Sequence, residues 1–310
     1  MRSIFFIAFF IYCLNGIGQK SLNRELQLEN DNDAYTLNFS RDQYYSNGVA
    51  IRYRKLTDST KWKSTHEKVI HSFVLNHRIY TTRHLYHTDT SQMDRPYSGQ
   101  MSLSYSKEYY LKNQSYFKAE LELGVMGPVL RTGDLQYEWH NAFGMEIPMG
   151  WDYEINNSPI VNLWGKYAKT LTGDKGADII SESTGAAGTA FGHFRQEFMF
   201  RFGTLKPLSS STQYNGVLGI TNNGPAQHEI YLFISPGVEY VHYNSTIQGN
   251  IIGKESVFTK EAERWIYQTR AGFMMSFTKF DFALIYYRRS KETPEARYHK
   301  YVGIRMNQRF

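Results

Sequence analysis

Along most of this chain apolar and polar residues alternate one by one. Leu121, Leu123 and Val125 alternate with Glu120 and Glu122, and Val49, Ile51 and Tyr53 with Ala50, Arg52 and Arg54. Phe280, Phe282, Leu284 and Tyr286 again form a single face. A period of two is the signature of a strand with one apolar and one polar face. Where the polar face carries charges, a transmembrane barrel is indicated, with lipid outside and a polar lumen inside. The alternation predicts an all-β, antiparallel up-and-down barrel of about twelve strands, near 21–29, 46–56, 67–82, 97–109, 115–126, 157–171, 176–187, 191–204, 227–242, 262–277, 279–290 and 298–310.

An even strand number puts both termini in the periplasm. The connections 30–45, 83–96, 127–156, 188–190, 243–261 and 291–297 are then expected outside. The connection 205–225 does not fit, because the same parity places it in the periplasm although it is long. No repeat or linker divides the chain, so residues 19–310 are expected to form one barrel domain.

The ends agree with this reading. Met1-Arg2-Ser3, an apolar run Ile4–Leu14 and small residues near Gly18 read as a signal peptide over 1–18. Cys13, the only cysteine, leaves with it, and the mature chain cannot form a disulfide. At the other end Val302, Ile304 and Met306 lead to a terminal Phe310, as in outer-membrane sorting signals, with Gln308 interrupting the row. The chain holds 24 Tyr, 20 Phe and 5 Trp at a mean hydropathy of only −0.50. Many aromatics without long apolar runs suit a barrel and exclude a helical membrane protein. The net charge of +6 is read as attraction to anionic headgroups or lipopolysaccharide phosphates. An exported protein meets no nucleic acid, and a monomer in the outer membrane is expected.

Four polar clusters fall on the same predicted rim. They are Glu29-Asn30-Asp31-Asn32-Asp33, Arg41-Asp42 through Gly48, Asp94 through Gly99, and Gln136 through Asp152. Asn, Asp and Gly runs are also ordinary turn formers. Acidic oxygens bind calcium as well, but the spacing is not that of an EF-hand loop. Asp94-Arg95 could be a rim ion pair. Within the fourth cluster Leu135, Trp139, Ala142 and Phe143 are spaced as one face of a short helix. Such a helix could pack against the barrel wall and hold His140 over the mouth.

Taken in order, these motifs resemble the outer-membrane lipid A 3′-O-deacylases of the LpxR type. The resemblance rests on Glu29-Asn30-Asp31, Tyr44-Tyr45-Ser46-Asn47-Gly48, Asp94-Arg95-Pro96-Tyr97-Ser98-Gly99, Leu123-Gly124-Val125-Met126-Gly127-Pro128, Gln136, His140 and Gly150-Trp151-Asp152. It implies a twelve-stranded barrel whose site lies between the wall and a helical extracellular loop. It also implies calcium-dependent hydrolysis of the 3′-linked acyloxyacyl ester of lipid A in the outer leaflet. His140 is then the general base, Asn30 and Asp31 are the first-strand pair with Asp31 the calcium ligand, Ser46 stands where the family has Thr or Ser, and Glu146 takes the acidic position after the histidine. The best-known members also carry a Lys-Arg pair. This chain has Leu85-Tyr86 there, so Arg83 and Arg95 become the expected substrate-binding cations. Two rivals remain at this stage: a serine esterase using Ser46 or Ser98, and a non-enzymatic pore, which would need an open lumen.

Overall fold

The structure, a computed structural model, describes residues 22–36, 43–61, 63–174, 176–219 and 228–310. The signal peptide over 1–18 and the pair Arg41-Asp42 lie outside the described residues.

Twelve antiparallel strands close into a single barrel in chain order, with β1 hydrogen-bonded to β12. They are β1 Arg24–Asn32, β2 Tyr44–Leu56, β3 His66–Thr81, β4 Ser98–Leu111, β5 Ser115–Met126, β6 Ser158–Gly173, β7 Ala177–Gly188, β8 Phe191–Thr204, β9 Glu229–Asn244, β10 Trp265–Ser276, β11 Phe280–Arg289 and β12 His299–Arg309. Every strand expected from the alternation is present. No helix among the described residues is long and apolar enough to cross a membrane.

The alternation sorts side chains as the period demands. Val49, Ile51, Phe73, Leu75, Leu103, Leu121, Leu123, Leu163, Phe194, Phe198, Leu232 and Leu284 are exposed on the outer wall. In water such a belt would be one very large apolar patch; in a bilayer it is the lipid contact. The inner face is packed with paired charges. Glu25 is salt-bridged to Arg54 and Arg309, Arg309 reaches Asp281 at 2.6 Å, and Arg270 joins Glu182 and Glu197 at 3.0 and 2.8 Å. Charges taken from water stay ionised only when so paired.

The long connection after β8 explains why it did not fit a simple periplasmic turn. Residues 205–219 fold back into the barrel end that carries the termini. Leu205, Leu208, Tyr214 and Leu218 join inward-facing Ile70, Tyr110, Tyr116, Tyr231 and Ile285 in one apolar cluster. Backbone groups of the segment are tied to the wall: Lys68 Nζ donates to the Ser209 carbonyl at 2.8 Å, and Thr212 N–H donates to Glu229 at 2.7 Å. Among the described residues this segment fills the lumen at that end, where a pore would need an open passage.

The other end carries the longer connections. Between β5 and β6 lies the helix α1, Thr132–Phe143. The stretch Glu29–Asp33 is not a free turn. Its first four residues continue β1, and Asp33 opens a one-turn 3-10 helix.

Candidate active site

The site is organised by where α1 lies. Thr132, Gln136 and His140, spaced by four, are its buried residues. Leu135, Trp139 and Phe143 are 56%, 55% and 58% exposed. The apolar stripe singled out in the sequence therefore faces away from the barrel, and the polar stripe faces it. The usual rule is inverted because this helix rests on the outer wall, where the surroundings are lipid.

Two glycines allow the close approach. At Gly99, on the outer face of β4, an added Cβ would stand 2.1 Å from Thr132 Oγ1. At Gly133 it would stand 2.7 Å from Cγ of Trp151. Trp151 packs on Tyr97 with ring centroids 5.1 Å apart, and its indole N–H donates to Gln136 Oε1 at 2.9 Å. Leu85, Met93, Tyr97 and Trp151 form a small core under the helix. The motifs around Tyr97 and Gly150-Trp151 thus serve as its seat. Asp94 is part of the same scaffold. It accepts from Tyr44 and Thr82, each at 2.7 Å, and makes no pair with Arg95.

His140 is 2% exposed. After it the chain reverses at Gly144, whose φ of 65° is the left-handed conformation that glycine adopts without strain. The reversal lays the backbone carbonyl of Glu146 on His140 Nδ1. A carbonyl only accepts, so Nδ1 carries the proton and Nε2 of the neutral ring holds the basic lone pair. Glu146 acts on the histidine through its carbonyl rather than the expected carboxylate, whose Oε1 is buried with no hydrogen-bond partner.

The first-strand pair is divided by the wall. Consecutive strand residues point to opposite faces. Asn30 points outward, with Oδ1 accepting from Tyr35 at 2.6 Å and Nδ2 donating to the Gly48 carbonyl at 2.9 Å. It is aligned through Val49 with His77, two strands away. At about 4.8 Å per strand this is roughly 10 Å. His77 Nε2 in turn lies 3.4 Å from Thr132 Oγ1, so Asn30 and the start of α1 share one patch of outer wall. Asp31 points inward. Its Oδ2 accepts from Tyr45 at 3.1 Å, with Gly48 leaving room for the Tyr45 hydroxyl.

Calcium fits Asp31 poorly. Oδ1 is a buried oxygen without a donor, as a cation site would require. Yet Arg78 lines the same internal cavity, and among the described residues no group of three His, Cys, Asp or Glu side chains converges. Calcium takes six to eight oxygens, and one carboxylate beside a guanidinium does not supply them.

Ser46 is the extra residue of a β-bulge, where pairing steps from Tyr45↔Tyr80 to Asn47↔Ile79. It is buried at the same rim as Asn30. Ser98 is buried too, its hydroxyl has no hydrogen-bond partner, and so it forms no Ser–His pair. Arg95 corrects the expectation of a substrate cation. Its guanidinium is 1% exposed, salt-bridged to Glu292 at 2.8 Å, bonded to Thr246 at 2.8 Å and stacked over Tyr80. It braces the rim from within. Arg83 instead lines a cavity shared with Tyr35.

One residue had no motif to announce it. Glu154, in the loop before β6, is held by burial at a pKa of about 8, far above the ordinary carboxyl range, although the Gly99 amide donates to it. No spacing pattern marks a lone loop glutamate; only its burial against β4 does.

A twelve-strand barrel with an apolar outer belt and an amphipathic helix seated on its wall defines an outer-membrane protein. A family model described as outer membrane protein LpxR matches residues 4–310, and the chain belongs to that family. The fold is similar to that of LpxR from Salmonella typhimurium, with a TM-score of 0.73 at 17% identity, covering 92% of this chain and 100% of that one. It is also similar to the β domain of the Bordetella autotransporter BrkA, with a TM-score of 0.50 at 9% identity over 94% of this chain and 100% of that one. No curated protein sequence matches the chain.

Proposed function

We propose that this protein is a lipid A deacylase of the outer membrane, acting at the extracellular rim on the 3′-linked acyloxyacyl ester. The observation that carries the reading is the seating of α1. It holds His140 against the outer wall, with Nδ1 fixed by a carbonyl, while Leu135, Trp139 and Phe143 face the lipid. A substrate reaching that cleft arrives from the bilayer.

His140 Nε2 takes a proton from water, and the hydroxide oxygen attacks the acyl carbonyl. The tetrahedral intermediate collapses, the ester C–O bond breaks, and the imidazolium returns its proton to the departing sugar alkoxide. The Glu146 carbonyl holds the ring in one tautomer and stabilises the imidazolium. Asn30 and Ser46 line the approach on β1 and β2. Calcium is kept only as a requirement to be tested, because the lining around Asp31 does not fit the ion, and no step is derived through it.

Purified protein is incubated with lipid A and the product read by mass spectrometry as loss of one acyloxyacyl chain. General-base removal typically costs about 10²–10⁴-fold, so His140→Ala should lose that much with the barrel still heat-modifiable on a gel. Wild-type turnover in the variant would refute the mechanism. Full turnover in excess chelator would remove calcium from it.

A further inference from the structure

Where β11 and β12 meet the loop-bearing rim, cations collect on the outer wall with no carboxylate partner among the described residues. Arg288 and Lys300 are directly opposite each other in the register. Both lie 5.2 Å over one face or another of the Tyr298 ring. Like charges opposite each other on one face of a sheet are destabilising. Neither is in an ion pair among the described residues. Beside them opens a cavity of about 530 Å³, whose lining includes Arg83, Arg297, Lys300, Tyr35 and Tyr298. The one carboxylate lining it among the described residues, Asp33, is buried and accepts from the Gln43 amide at 2.5 Å.

We propose that this cavity takes the phosphate of the substrate's sugar headgroup. Guanidinium and ammonium donors converging on one space suit a phosphate monoester, and the flanking tyrosines suit the sugar bearing it. An anion there also relieves the Arg288–Lys300 repulsion. The position relative to the reacting centre is fixed by Tyr35, which lines the cavity and donates its hydroxyl to Asn30 at 2.6 Å. A headgroup anchored on Arg297 and Lys300 therefore directs its acyl chains along the wall past Asn30. This chain would thus draw the anion contact from the β11–β12 hairpin and Arg83 rather than from a Lys-Arg pair. The inference deepens the deacylase reading and rests on it.

The test compares phosphorylated lipid A with the same lipid stripped of phosphate, using the wild type and the Arg297→Gln/Lys300→Gln double variant. Two charge-assisted contacts are worth roughly 10–100-fold together. KM for phosphorylated lipid should rise by about that factor in the variant, kcat should stay within about twofold, and the stripped lipid should show no difference. An unchanged KM, or an equal rise on both lipids, would overturn the proposal. Activation of stripped substrate by separately added phosphorylated, already deacylated lipid would overturn it as well, since the phosphate would then belong to a neighbouring molecule. If the wild type hydrolyses neither lipid, the deacylase reading fails on its own. Native mass spectrometry of lipid bound to His140→Ala, with and without the double variant, still decides the cavity: phosphate-dependent binding lost in the double variant supports it, and binding indifferent to both overturns it.

Discussion

Gly99→Ala isolates the seating of α1 from every group that does chemistry. Gly99 lies at the start of β4 with no unusual φ, so alanine suits its backbone and the effect is steric. The new methyl would sit 2.1 Å from Thr132 Oγ1 and 2.6 Å from Thr132 Cβ, where ordinary contact begins at 3.4 Å. The first turn of the helix must retreat by about 1.3 Å. His140 lies two turns on in the same rigid helix and shares the displacement. A misplacement of about 1 Å in a catalytic constellation can cost on the order of 10²-fold in rate. The expected result is a loss of that size in lipid A deacylation, with the barrel still heat-modifiable because the strand ladder is untouched. Thr132→Gly in the Gly99→Ala background removes the atoms in collision and should recover most of the loss. Turnover of Gly99→Ala at the wild-type rate would mean that α1 does not position the reacting group. Failure of Thr132→Gly to rescue would mean that the damage lies elsewhere than in this contact.

Two further expectations concern the rim. Glu154 has a folded-state pKa of about 8 against an ordinary 4.5, so it favours the folded loop fully below about pH 4.5 and loses that contribution as pH rises through 8. Limited proteolysis of 145–157 should accelerate between pH 6 and 9, and Glu154→Gln should flatten the rise; an identical pH profile in the variant would show that another group controls it. For orientation, Ser91→Cys and Lys254→Cys, on exposed loops of one rim, should react with an impermeant maleimide on intact cells, whereas Ser59→Cys, at the opposite end, should not. The reverse pattern would put the helix in the periplasm and exclude an outer-leaflet substrate.

The strands were legible because the alternation couples each side chain to lipid or to the interior, and a slip of one residue would reverse both faces. No strand end moved by more than three residues; the start of β10 moves by three, and so do both ends of β1, which carries Asn30 and Asp31 out of the loop and into the wall. That small shift decides chemistry, since it sends two adjacent side chains to opposite sides of the barrel. The plug was not legible. Leu205, Leu208, Tyr214 and Leu218 have no regular spacing, and their partners on β3, β4 and β9 are distant in sequence. Arg95 and Arg83 read alike as rim cations, and only the fold separates one bound inside from one facing an outer cavity.

The spacing marked the two faces of the helix but not which one meets the wall, and what decides that also explains the site. In water an amphipathic helix buries its apolar stripe, and its polar groups find partners in solvent. Against a wall in a bilayer the polar stripe turns inward, where an unpartnered donor costs several kcal/mol. The wall and the returning loop must then supply a partner for each polar group. Thr132 sits over Gly99, Gln136 accepts from Trp151, and His140 donates to the Glu146 carbonyl. The lipid surroundings that expose Leu135, Trp139 and Phe143 are thereby the same constraint that fixes the imidazole in one tautomer. If His140 is the general base of the proposed mechanism, this placement needs no mobile lid to exclude water from its Nδ1 side.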